Sequence, residues 1–136
     1  MIWITFVQSQ KDQLFERLEK YFKNSESKMT RERYFKMCEQ IGKEPKEDEI
    51  PPDFEDFPAI SIHAMNTFSM LGDRIVPDLG YLGKDFTTLP YYISIYAIED
   101  EDEELFLEIL TYLESRAIKQ SQEQLKRERE KLKRKA

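Results

Sequence analysis

Few side chains in this chain are suited to chemistry at neutral pH. His63 is the only histidine and Cys38 the only cysteine, so the sequence holds no second imidazole for a proton relay and no histidine pair for a metal. A Cys38–His63 dyad would require only that the two meet in space. Cys38 nevertheless falls on the apolar stripe of a predicted helix, as a packed core thiol does. His63 lies between apolar neighbours on another, as a structural or surface imidazole does. The segment Gly80-Tyr81-Leu82-Gly83-Lys84-Asp85 has the glycine–lysine pair of a phosphate-binding loop, which also needs a glycine six residues before the lysine and a hydroxyl after it. Asp78 and Asp85 occupy those two positions, so the segment is read as turn chemistry plus a surface patch. Neither acidic run, within 43–58 or over 99–104, has the alternating ligands, central glycine and terminal Glu of a calcium loop. Two of the 27 acids could meet across a cleft as a hydrolase pair, but no motif marks one. The expectation is a non-enzymatic chain with no catalytic, cofactor-binding or metal-binding residues.

Charge is distributed unevenly. From Lys119 onward there are eight Lys or Arg against three Glu, a local net of +5, while residues 1–118 carry 13 bases against 24 acids, a net of −11. An acidic body with a basic tail excludes a uniformly basic nucleic-acid-binding body. Aromatics at 12% argue against wholesale disorder, because their burial offsets ordering entropy. A single cysteine excludes a disulfide-stapled secreted scaffold and suits a reducing, cytoplasmic setting. The apolar run Met1–Val7 lacks a basic leader and is too short to span a bilayer, so it is read as neither signal peptide nor anchor, and no membrane partner is expected.

The elements that would position these residues are helical. Leu14, Phe15, Leu18, Tyr21 and Phe22 form one stripe of a helix over 9–23, with Ser9 and Asp12 placed as a capping box. Thr30 suits the N-cap of a second helix whose stripe is Tyr34, Met37, Cys38 and Ile41, with Gly42 after it. Residues 43–58 hold four prolines and seven acids and must be extended, with Ile50, Phe54 and Phe57 pinning them to the body. Asp56 would cap a third helix that starts around Pro58 and stops at Gly72, burying Ile60, Ala64, Met65, Phe68 and Leu71. An ordered connection with tight turns follows over 73–86, where a short β-ribbon is an open alternative that the residues do not compel. Thr87 or Thr88 would cap a fourth helix with Pro90 in its first turn and Leu89, Tyr92, Ile93 and Tyr96 inward.

The last helix, Asp102 to Lys135, has Leu105, Phe106, Ile109, Leu110, Leu113 and Ala117 on one face, and its packed part is expected to end near 118. Beyond that, Leu125 and Leu132 stand among Lys126, Arg127, Arg129, Lys131, Lys133 and Arg134. These eight are the candidate partner-binding residues: the leucines as apolar anchors for a protein, the bases for a protein or for phosphates. One heptad between two leucines falls short of a coiled coil. A solvated helix end facing its own dipole accounts for the bases without any ligand.

Cys38-Glu39-Gln40-Ile41-Gly42-Lys43-Glu44-Pro45, then Glu49-Ile50-Pro51-Pro52-Asp53-Phe54-Glu55-Asp56-Phe57-Pro58, then Gly80-Tyr81-Leu82-Gly83-Lys84-Asp85 resemble small proteins of tailed bacteriophages over about residues 29–136. The resemblance implies a viral protein made in a bacterial cytoplasm that assists tail or baseplate assembly, with a phage structural or assembly protein as partner. It brings no catalytic residues. The fold expected is mainly α, a small orthogonal helical domain of about five helices with a long, projecting basic C-terminal helix. Residues 1–28 form an N-terminal extension with one amphipathic helix, 29–118 the body and 119–136 the tail.

Overall fold

The computed structural model describes residues 2–135, with side chains from Gln8 onward. The side chains of the apolar run Met1–Val7 therefore lie outside the described residues. The chain is mainly α: α1 (Ile2–Glu26), α2 (Arg31–Ile41), α3 (Ala59–Met70), strands β1 (Gly72–Val76) and β2 (Gly80–Asp85), α4 (Leu89–Ile95) and α5 (Glu103–Lys135). It divides into two compact units, residues 1–57 and 58–136.

In the first unit, α1 begins at Ile2 rather than Ser9. Ser9 and Asp12 are interior residues and form no capping box, because no proline or glycine in Ile2–Gln8 interrupts the ladder. The stripe read from sequence is the least exposed face of α1, and Leu18 is fully buried on it. α2 starts where Thr30 Oγ1 accepts the Arg33 N–H, at 3.1 Å, and ends at Gly42 in the left-handed conformation that needs no Cβ, φ 75°. Only Tyr34 and Cys38 of its expected stripe are buried; Met37 is exposed, and Ile41 is 69% exposed.

Polar contacts from α2 hold the proline-rich segment. The Tyr34 hydroxyl donates to Glu49 Oε2, 2.9 Å, and accepts the Lys46 N–H, 3.2 Å. Arg31 donates to the Pro51 carbonyl, 3.0 Å, and pairs with Asp53 and Asp56. Of the three apolar pins expected, Phe57 is buried and Ile50 half-buried, while Phe54 faces solvent. Asp56 does not cap α3: its carboxylate accepts the Asp53 N–H and Arg31, and Pro58 takes the cap position.

The second unit is built on α5. The buried positions of α3 are Ser61, Ala64 and Thr67, with Leu71 at its end; Ile60, Met65 and Phe68 are only half-buried. A ridge of small residues three apart lets α3 and α5 approach closely enough for Phe106, Ile109, Leu110 and Leu113 to fill the space between them. Fully burying such side chains is worth about 1.5–3 kcal/mol each. Thr88 takes the cap position of α4 but its side chain makes no cap hydrogen bond, and Thr87 is bonded to Asp85 instead; Pro90 lies in the first turn and Leu89 is buried, with Tyr92, Ile93 and Tyr96 half-buried.

The segment after α3 is an antiparallel hairpin with a bulge, pairing Arg74 with Gly83 and Ile75 with Tyr81, so that Leu82 is the extra residue. β2 lies on α5, and its outward N–H groups are satisfied from that helix: Tyr81 N–H donates to Ser121 Oγ, 3.3 Å, and Lys84 N–H to Glu114 Oε2, 2.8 Å. All five residues of β1 are exposed.

Candidate partner-binding surface

The Gly80–Asp85 segment builds the docking of hairpin on helix, and its two glycines are dictated by that approach. Gly80 has φ 84°, and a Cβ there would lie 2.6 Å from Leu125 Cδ1 and 3.2 Å from Ser121 Oγ. Gly83 has φ 125°, and a Cβ there would lie 2.8 Å from Glu114 Oε2. A side chain at either position would strain the backbone and have to push aside the end of Leu125 or Glu114.

Lys84 is no surface patch. It is 7% exposed, and its ammonium donates to the Leu71 carbonyl at 3.2 Å, pairs with Asp73 at 2.7 Å and sits 4.5 Å from the centre of the Phe68 ring. Three partners replace the water it gave up, and one of them is the carbonyl just past α3. The lysine thus ties the end of α3 to both strands, and it is spoken for as a phosphate ligand. Tyr81 beside it is pushed up to about 12 by burial and by the charges of Asp73 and Glu114, so its phenol is neutral at physiological pH.

Hairpin docking extends the packed part of α5 beyond residue 118, where the charge pattern had placed its end. Ser121 and Leu125 are half-buried under β2, and Arg129 Nη2 donates to the Asp78 carbonyl in the hairpin turn, 2.9 Å. The eight candidate residues therefore fall into different classes. Leu125 is an internal contact of the hairpin, and Arg129 has its guanidinium on the turn. Lys126, Arg127, Lys131, Lys133 and Arg134 are exposed, and Leu132 is 68% exposed.

Leu125, Arg129 and Leu132 occupy one face of α5, at spacings of four and three. Leu125 lies against Gly80 and Arg129 reaches the Asp78 carbonyl, and Leu132 continues the face about 5 Å further along the axis. Leu79, next to Asp78 in the turn, is 63% exposed, and Ile75, Val76 and Leu82 are exposed along the ribbon. Exposed apolar side chains are thus carried both by the hairpin, with Leu79 at its tip, and by α5, with Leu132 among its bases. The sequence left the hairpin as an open alternative; the Gly80–Gly83 pair beside apolar residues was the available signal.

The first unit contains a groove of about 650 Å³ between α1, α2 and the proline-rich segment, with Phe35, Ile50 and Pro52 as its apolar lining and Glu16, Glu47 and Asp48 among its charged groups. The residues singled out for chemistry lie elsewhere. Cys38 is buried beside Tyr34, and His63 stacks on Tyr96 with ring centres 4.4 Å apart. Among the described residues no group of three or more His, Cys, Asp or Glu side chains could hold a metal ion, and no helix is long and apolar enough to cross a membrane. No family model, no curated protein and no solved structure matches the chain.

Proposed function

We propose that this chain is a non-enzymatic assembly or adaptor protein, acting in a bacterial cytoplasm, that binds a protein partner through the hairpin tip and the second half of α5. The resemblance to tailed-bacteriophage proteins makes the partner a phage structural or assembly protein. The observation that carries the reading is that Leu79 at the hairpin tip and Leu132 on α5 are both mostly exposed, on a scaffold whose hairpin is held to α5 by Leu125, Ser121, Glu114 and Arg129. Apolar anchors with a polar border, held rigid before contact, are what a protein interface uses.

The test is capture from infected-cell lysate with the wild-type chain and the Leu79→Asp/Leu132→Asp variant, each with and without nuclease. Recovery of a virion or assembly protein by the wild type alone, unaffected by nuclease, supports the reading; equal recovery by the variant refutes it. The second reading is a nucleic-acid-binding accessory factor using the bases from Lys126 to Lys135. What favours it is their exposure; against it stand Glu128 and Glu130 among them and the engagement of Arg129. It predicts recovery that vanishes with nuclease and an affinity that falls steeply with salt.

A further inference from the structure

We infer that the open edge of β1 receives an extended segment of the partner as a third strand, one that sets a carboxylate opposite Arg74. This rests on the reading of the hairpin as protein-binding and names the form in which the partner arrives. Tyr81 and Lys84 of β2 send their N–H groups to Ser121 and Glu114 of α5, away from β1. Residues directly opposite one another in an antiparallel pair either exchange both hydrogen bonds or neither, so their neighbours across the ladder, Ile75 and Asp73, also turn N–H and C=O outward. These groups, at positions two apart on the strand, have no partner among the described residues. One edge of the hairpin is thus covered by α5, and the other, where all five residues of β1 are exposed, is open.

An open edge is a row of donors and acceptors spaced for another extended backbone; a helix spends its backbone groups internally and has none to offer. The same strand of a second copy fits it poorly. A two-fold axis centred on Arg74 sets the two guanidiniums directly opposite each other, and one centred on Asp73 does the same with the carboxylates. An axis centred on Ile75 brings Asp73 against Pro77, which has no N–H to give. The occupant is therefore a foreign strand, and its side chains follow from the two faces of β1. On one face Asp73 is already paired with Lys84, and Ile75, 66% exposed, is matched by an apolar neighbour. On the other, Arg74 is in no ion pair among the described residues, and Asp85, which its charge reaches, has its carboxylate on the N–H and hydroxyl of Thr87. Apolar and acidic residues in alternation satisfy both faces.

The probe is a short synthetic peptide alternating valine and glutamate, blocked at both ends, titrated into the isotope-labelled full chain and followed by amide NMR. The amides of Asp73 and Ile75 should move downfield and exchange more slowly, while those of Arg74 and Val76, which face β2, should hold their place. A peptide with lysine for glutamate should bind about fivefold more weakly, and Arg74→Glu should reverse the order of the two. Ile75→Pro deletes one outward N–H and leaves the bonds to β2, as an edge strand tolerates; its affinity for the valine–glutamate peptide should fall about tenfold. Ile75→Thr keeps the N–H and should lose less. Shifts that spare Asp73 and Ile75, no binding at millimolar peptide, or a peptide preference that Arg74→Glu leaves unchanged each overturns the inference, as does an Ile75→Pro variant that binds like the wild type. An edge that takes no peptide in a chain that still captures its partner through Leu79 and Leu132 removes this inference alone. An edge that binds the peptide in a chain whose capture is indifferent to Leu79 and Leu132 removes the proposed function alone.

Discussion

Replacing Lys84 with Met tests the docking scheme from inside. The substitution keeps an apolar stem of similar length and deletes an ammonium that contacts the Leu71 carbonyl, Asp73 and the Phe68 ring. A charge-assisted hydrogen bond is worth about 1.5–3 kcal/mol, and a cation over a ring about 0.5–2 kcal/mol. The pair with Asp73 adds less, on the order of 0.5 kcal/mol, because Asp73 is half exposed and its carboxylate rehydrates when released. Against these stands the cost of keeping an ammonium 7% exposed, which the Met variant no longer bears. The net expectation is a loss of about 2 kcal/mol, a fall in Tm of roughly 6–10 °C for a chain of this size. Asp73→Asn should cost about 1 kcal/mol or less, since the lysine keeps its other two partners. Urea unfolding followed by Tyr fluorescence in the second unit gives both values. If Lys84→Met stays within about 0.5 kcal/mol of the wild type, the lysine does not tie α3 to the hairpin and the reasoning fails.

Other consequences can be measured independently. Gly80→Ala drives a Cβ into Leu125 at a left-handed φ and should cost about 3 kcal/mol; the penalty should shrink by about 1 kcal/mol or more in a Leu125→Ala background, read by a double-mutant cycle. Thr30→Ala removes the acceptor for the Arg33 N–H and should cost about 1 kcal/mol in denaturant unfolding. Glu49 is held below its ordinary 4.5 by the hydrogen bonds from Tyr34 and Lys43, and Asp56 below its ordinary 3.8 by the Asp53 N–H and Arg31. Folding depresses both, so their contribution is present above those ordinary values and is lost as pH falls through the lowered ones. Acid unfolding of the first unit should therefore be flattened in Glu49→Gln and Asp56→Asn, and an unchanged acid limb would contradict the clasp. Tyr34 shows the opposite sense. Burial, the leading cause, pushes it up to about 12, so its contribution is intact below pH 10 and is lost as pH rises through the folded value.

Local signals in the sequence located most of the helices. Thr30 and Gly42 bound α2, Pro90 starts α4, and the acids from Glu99 to Glu104 precede and open α5. These rest on backbone hydrogen bonding and dipole effects that act within a few residues. Apart from the start of α1, the misplacements depend on partners distant in the chain. Asp56 was free to cap α3 until Arg31, 25 residues away, claimed it. Met37 and Ile41 continue an apolar period that nothing covers, whereas Ser61 and Thr67, polar by type, are buried because α5 packs closest where side chains are small. The hairpin was ambiguous because its glycines serve a helix some 30 to 45 residues later: Gly83 makes room for Glu114 and Gly80 for Leu125. For the same reason the packed face of α5 looked finished at 118, and of the two candidate leucines Leu125 is internal while Leu132 faces solvent.

The central claim is that a protein docks on the hairpin tip and Leu132. A photo-activatable cross-linker placed at position 132, at position 79 or at the exposed control position 26 examines it in infected cells. Covalent adducts with one virion or assembly protein from positions 132 and 79, and none from 26, are the predicted result. Adducts equal at all three positions, or none at 132 and 79, would contradict it.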